Sequence, residues 1–141
     1  MGYTHYWTSL GEVGDEKWTQ FTRIVQPTLD RGYKAGIIQW ESDNTDPPSC
    51  FNTVRFNGVG DDGHETFLMD REGGRGFCKT ARKPYDAYVG TVLMVAAIMF
   101  GDQINVTSDG DENDWGAVFD VAQVAYGFDV HSAAAKKGLI L

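Results

Sequence analysis

Ala87–Phe100 is a run of 14 residues with no charge, interrupted only by Gly90 and Thr91. A membrane-spanning helix needs about 18–20 such residues. A run of this length therefore predicts a helix buried on all sides inside a folded protein. Pro84 suits the first turn of that helix, where a missing amide hydrogen costs nothing. Gly101 suits its end. A helix apolar all round must be covered by other layers, and the rest of the chain supplies them.

Tyr3, His5 and Trp7 alternate with Thr4, Tyr6 and Thr8, the period-2 pattern of a strand with two different faces. Ser9–Gly14 is turn-rich. Gly14 or Asp15 then caps a helix whose Trp18, Phe21, Val25 and Leu29 share a face. Pro27 predicts a kink or break, and Gly32 a stop. Ala35–Glu41 reads as a strand and Ser42–Ser49 as a loop. Phe51–Asn57 and Glu65–Asp70 read as strands joined by Gly58–His64, and Phe77–Thr80 as a short strand after a glycine turn. Ile104–Thr107 is a last strand. Ser108–Asp114 forms an acidic cap to a final helix carrying Trp115, Val118, Phe119, Ala122 and Tyr126, with Gly127 as its stop. The tail ends on apolar Gly138–Leu141, predicted to pack on its own domain or on a second subunit. Strands and helices without regular alternation predict an α+β fold, a single domain over residues 1–141. Its sheet is mixed and mostly antiparallel, with about three helices.

Twelve Lys and Arg stand against 20 Asp and Glu, a net charge of −8. That disfavours direct nucleic-acid binding and adhesion to anionic lipid, both of which need an electropositive face. The N-terminal residues lack the pattern of a secretory signal, and Tyr6 stands where a myristoylation motif needs Ser or Thr. Cys50 and Cys78 read as free thiols in a reducing cytoplasm.

Several motifs carry chemistry only in the right setting. Gly58-Val-Gly-Asp-Asp-Gly63 has phosphate-loop spacing, but a strand follows it and Asp61 and Asp62 would repel phosphate, so a hairpin loop is expected. Asp109, Asp111, Asn113 and Asp120 hold positions of a calcium loop, but Asp114 replaces its central glycine. Helix capping is the expected role, with no cofactor and no metal. Cys78-Lys-Thr-Ala-Arg82 lacks the arginine position of a phosphatase loop, where Pro84 stands. A buried thiol is expected there. His64-Glu65-Thr66 offers one histidine unit of a two-histidine phosphoesterase, and neither His5 nor His131 supplies the second. His5, Tyr6, Trp7, Trp18 and Trp40 serve either a pocket or the core, and the core is the stronger expectation.

The charge pattern is more informative. Arg71, Arg75, Lys79, Arg82 and Lys83 are opposed within their segment by Glu72 alone, among Gly73, Gly74 and Gly76, just before a helix start. Guanidinium groups, bare amides and a helix dipole together make an anion site, the alternative being a solvated basic loop. Phe77 and Tyr85 are placed to stack on a planar base.

Met1-Gly-Tyr-Thr-His-Tyr-Trp7, Phe56-Asn-Gly-Val-Gly-Asp-Asp-Gly-His-Glu-Thr-Phe67, Phe77-Cys-Lys-Thr-Ala-Arg-Lys-Pro-Tyr-Asp86 and Ser108-Asp-Gly110 follow one another along nearly the entire chain. In that order they resemble a family of small bacterial and bacteriophage proteins beginning Met-Gly-Tyr-Thr-His-Tyr. The resemblance implies a single domain in the cytoplasm of a bacterial host and assigns no catalytic residue.

These readings converge on a non-enzymatic binding protein. It would be an accessory or counter-defence protein of phage type that sequesters a phosphorylated small molecule such as a nucleotide signal, or blocks a host protein. The expected ligand residues are Arg75, Lys79, Thr80, Arg82, Lys83 and Tyr85, with Asn57, Asp61, Asp62 and Glu65 on a facing wall. The alternative is an enzyme acting on a nucleotide or phosphate ester, with His5 or His64 as acid and base, Asp61, Asp62 and Glu65 as metal ligands, and Arg82 and Lys79 as the phosphate clamp. A homo-oligomer is compatible with the apolar helix and tail.

Overall fold

The computed structural model describes residues 3–9, 11–110, 115, 116, 118, 120 and 121. Its elements run β1 (Thr4–Ser9), α1 (Asp15–Lys34), β2 (Ile38–Gln39), β3 (Ser49–Cys50), β4 (Thr53–Gly58), β5 (Phe67–Asp70), β6 (Gly74–Lys79), α2 (Asp86–Phe100) and β7 (Ile104–Ser108). Short 3-10 turns lie at Gly60–Asp62 and Gly101–Gln103. The fold is α+β and its sheets are antiparallel.

There are two sheets where the sequence suggested one. In the first, β1 lies between β6 and β7. In the second, β4 is the hub and pairs with β2, β3 and β5. Trp7 of the first sheet meets Phe67 of the second, ring centroids 5.1 Å apart. The backbones also join, since Glu65 donates its amide to the Lys79 carbonyl at 3.2 Å.

α2 is buried from Tyr88 through Ala97 and again at Phe100. Its uniform apolarity gives it no solvent face to offer. Gly101, at φ +58°, ends it in a conformation that costs glycine little. α1 covers it with the expected face of Trp18, Phe21, Val25 and Leu29. Phe100 packs on both Trp18 and Phe21.

Helix α1 runs without a break through Pro27, and past the stop expected at Gly32 to Lys34. Pro27 is exposed, so the bond it forfeits faces water. Gly32 is a packing residue: a β-carbon there would lie 2.7 Å from the Tyr88 ring. Only glycine lets α1 approach α2 that closely.

Strand bounds shift as well. Ala35–Glu41 shrinks to β2, and the strand expected from Phe51 begins only at Thr53, after a bend at Phe51–Asn52. Strand β6 begins within the glycines read as a turn. Gly76 belongs to it because the Trp7 indole lies where a side chain would stand. The two described α-helices are α1 and α2. Of the expected third, Trp115 and Val118 are buried, while Phe119, Ala122, Tyr126, Gly127 and the tail lie outside the described residues. No helix of the described residues is long and apolar enough to cross a membrane.

Candidate functional site

Strand β1 organises the polar residues through its two faces. Tyr3, His5 and Trp7 point inward and are buried; Tyr6, between them, is exposed. The alternation read from sequence holds over His5, Tyr6 and Trp7, while Thr4 at the start of the strand is buried as well.

On the inner face, His5 is fully buried. Its ring meets Tyr3 and Trp115 edge-on, at centroid distances of 5.2 and 5.6 Å. Register places His5 opposite Ser108 of β7, and Nδ1 lies 2.8 Å from Ser108 Oγ. Nε2 lies 2.6 Å from Oδ1 of Asp86, the first residue of α2. Thr80 Oγ1 donates to the same Oδ1 at 2.6 Å. The Gly110 amide donates to Ser108 Oγ at 3.0 Å. With the imidazole neutral, Ser108 then gives its own hydrogen to Nδ1, and Nε2–H points at Asp86. The result is a chain Ser108–His5–Asp86–Thr80.

The neighbouring backbone is tightly held. Thr80 and Ala81 both donate their amides to the Tyr3 carbonyl, at 3.1 and 3.3 Å. Asp109 accepts the Thr4 amide on Oδ2 at 3.1 Å. Ala81 and Arg82 stand at φ +52° and +56°, an arrangement costing about 1–2 kcal/mol per non-glycine residue. It carries the Arg82 guanidinium over the Tyr3 ring, 4.4 Å from its centroid.

These contacts bring together three of the four sequence blocks: His5; Thr80 and Arg82; Ser108 and Asp109. They also change the anion site expected at the helix start. The amides of Thr80 and Ala81 serve Tyr3, and that of Lys83 serves the Thr80 carbonyl. Asp86 places a carboxylate in the first turn of α2, where an anion would sit. Tyr85 is fully buried, with its hydroxyl donated to the Glu65 carbonyl at 2.6 Å. No surface stacking is open to it. Burial pushes its phenol well above the ordinary range.

Asn57 is buried and structural: its amide donates to the His64 carbonyl at 3.0 Å and accepts the Gly58 and His64 amides at 2.7 and 3.1 Å. Asp61, Asp62 and His64 are exposed on the β4–β5 loop, with no bond to the His5 group among the described residues. The glycine motif there is a loop, as expected. Its Gly60 amide goes to the Ser42 carbonyl and its Gly63 amide to Gly60. Glu65 reaches β6, accepting the Lys79 amide at 2.7 Å. Of the calcium-loop positions, Asp111 and Asn113 lie outside the described residues. No cluster of three metal-ligating side chains occurs among those described.

The outer face of the same sheet is different in kind. Arg75, Phe77 and Lys79 of β6 stand opposite Thr8, Tyr6 and Thr4. Phe77 is 64% exposed and Tyr6 42%. Asn105 and Thr107 of β7, opposite Thr8 and Tyr6, are exposed too. Two aromatic side chains thus lie side by side in the open, with a cation two residues away on either side of Phe77. Arg71, by contrast, is tied to Asp15 and to the Val13 carbonyl.

A cavity of about 230 Å³ lies at the Ser9 end of β1, walled by Trp7, Trp18, Met69 and Phe100. It is smaller than the roughly 300–1,000 Å³ of ordinary ligand pockets. Trp7 and Trp18 are core residues, and Trp40 lies under the Arg55 guanidinium at 3.9 Å.

Sequence reasoning expected Tyr6 in the core, where the structure exposes it, put Trp115 on a helix face, and assigned Asp86 no role. The exposure of Tyr6 was signalled by the β1 alternation, which put it opposite the core. The pairing of Asp86 with His5 has no local signature. No family model matches the chain, and no curated protein or solved structure is significantly similar to it.

Proposed function

We propose that the protein binds, without converting it, a phosphorylated planar small molecule, a nucleotide, held on the outer face of β6-β1-β7. The observation that carries this reading is the exposed cross-strand pair Tyr6 and Phe77 between Arg75 and Lys79. Aromatic rings of this size are ordinarily buried. Exposed on a sheet beside cations, they are suited to stacking on a base, worth about 1–3 kcal/mol per contact. Residues two apart on a strand are about 7 Å apart, so Arg75 or Lys79 reaches a phosphate attached to the stacked base.

The net charge of −8 favours a single nucleotide over a strand, because each added phosphate adds long-range repulsion. In a phage or bacterial setting such a protein withdraws a nucleotide signal from its receptor. That role is proposed on the same footing.

Equilibrium dialysis against linear and cyclic nucleotides tests the reading, with the ligand recovered after denaturation and identified by chromatography. Binding with the nucleotide returned intact, abolished by Phe77→Ala and weakened by Lys79→Ala, is the expected result. A nucleotide returned as product points to an enzyme. Failure of every nucleotide to bind overturns the reading and leaves a protein partner as the occupant to seek.

A further inference from the structure

We infer that Ser108 is an activated nucleophile that accepts the acyl group of an uncharged carboxylic ester, with His5 as its base and Asp86 as the residue positioning the imidazole. The inference is independent of nucleotide binding, since it uses the opposite face of β1.

Four observations carry it. The Ser108 hydroxyl is 2.8 Å from His5 Nδ1, and the other ring nitrogen is 2.6 Å from Asp86 Oδ1. This is the nucleophile–base–carboxylate order, recognised by geometry and not by chain position. The imidazole is turned relative to the best-known serine hydrolases, with Nδ1 toward the serine, but either nitrogen can take the proton. Second, burial is graded in the useful direction: Ser108 is half-buried at a strand end and His5 behind it is fully buried.

Third, Trp115 is fully buried, and its Nε1–H has no hydrogen-bond partner among the described residues. That nitrogen lies 3.0 Å from where a β-carbon on Gly110 would stand, and the Gly110 amide is bonded to Ser108 Oγ. A buried donor without an acceptor is costly and needs a reason. One placed beside a nucleophile is suited to the oxygen that gains charge when a carbonyl is attacked. Fourth, the left-handed pair Ala81–Arg82 follows the Thr80 that clamps Asp86. Strain of this kind persists where the surroundings fix a particular geometry. A purely structural histidine accounts for the two ring bonds but not for the unpaired indole.

The substrate class follows from charge. Asp86 binds His5, and Asp109 follows Ser108 in the chain and accepts the amide of Thr4, the residue before His5. Two carboxylates repel an anionic phosphate ester and leave a neutral ester unaffected. In the reaction, Ser108 Oγ bonds to the carbonyl carbon as its proton passes to His5 Nδ1. The bond from that carbon to the alcohol oxygen breaks, and the alcohol leaves with the proton. Water then attacks the acyl-serine by the same route, releasing the carboxylic acid and restoring Ser108.

A fluorophosphonate probe and p-nitrophenyl acetate test this on the full chain. Wild type should gain one adduct, located on Ser108 by peptide mass spectrometry, and should release p-nitrophenol. Ser108→Ala should do neither while keeping its native circular dichroism. Asp86→Asn, assayed well below its melting temperature, should label about four orders of magnitude more slowly. A merely structural carboxylate would change the melting temperature and not this rate. Trp115→Phe should slow ester hydrolysis about 100-fold, the cost of one oxyanion donor. Absence of a Ser108 adduct in folded wild type, or equal labelling rates in wild type and folded Asp86→Asn, overturns the inference.

Discussion

His5 and Ser108 face each other across β1 and β7, and their side chains meet at 2.8 Å although 103 residues separate them. The contact ties the first strand to the last described one. Removing the hydroxyl leaves a buried ring nitrogen and the Gly110 amide without their partner. Ser108→Ala should therefore cost about 1–2 kcal/mol in urea denaturation. Thr80→Ala, which strips one donor from Asp86 Oδ1, should cost a similar amount. Because both residues bear on one network, the double variant should depart from additivity by at least about 0.5 kcal/mol. Additive losses would show that the chain from Ser108 to Thr80 does not act as a unit.

Gly76 lies in β6 opposite Trp7, and the indole occupies the space of a side chain on that glycine. The position is extended backbone, so sterics and not φ require the glycine. Gly76→Ala must displace Trp7 from its contact with Phe67. A loss of about 1–3 kcal/mol is expected, typical of overpacking. It should appear as a lower urea midpoint at unchanged slope, with a changed tryptophan fluorescence spectrum. An unshifted midpoint would be incompatible with the indole lying over Gly76.

What the sequence disclosed was periodic or local. The alternation of Tyr3, His5 and Trp7 identified the buried face of β1, and the uncharged run after Pro84 identified the core helix. Gly60 and its neighbours read correctly as a loop because Asp61 and Asp62 excluded phosphate. The failures have a common cause in contacts distant along the chain. Pro27 suggested a break, yet its exposure, set by tertiary packing, lets α1 run on. Gly32 read as a stop because Tyr88, which it accommodates, lies 56 residues away. The basic segment suggested amides free for an anion, yet Tyr3, at the other end of the sequence, takes two of them. Asn57 looked like a site residue because nothing local shows that its amide binds its own loop.

That role of Asn57 is itself testable. It is buried, and both ends of its side-chain amide are used across the β4–β5 loop. Asn57→Ala leaves the Gly58 and His64 amides without their acceptor. The expected cost is about 2–3 kcal/mol, with hydrogen exchange accelerated at Gly58 and His64. Asn57→Asp keeps the acceptor but loses both donations, to His64 and Thr66, and should be intermediate near neutral pH. Full stability of the alanine variant would return Asn57 to the list of residues available to a ligand.

The two thiols set the response to alkali. Burial pushes Cys78 from an ordinary value of 9.0 up to about 12, with Glu65 and Asp86 adding to the shift and the Tyr85 hydrogen bond opposing it. Burial, with Asp30 in support, does the same to Cys50. At pH 8 both should react with iodoacetamide about three orders of magnitude more slowly than a free thiol, because the thiolate is the reactive form. The same shifts fix the sign of the pH dependence. The unfolded chain gives up each thiol proton near pH 9 and the folded chain near 12, so between those values the folded state holds more protons. Stability is fully present below about pH 9 and falls as pH rises toward 12, by up to about 1.4 kcal/mol per pH unit for each thiol. Tyr85, raised by burial, adds to the decline above its ordinary 10.0. Cys78→Ala should flatten the decline in urea midpoint between pH 9 and 11, whatever it costs at pH 7. An equal slope in wild type and variant would remove Cys78 from the set of groups that destabilise the fold in alkali.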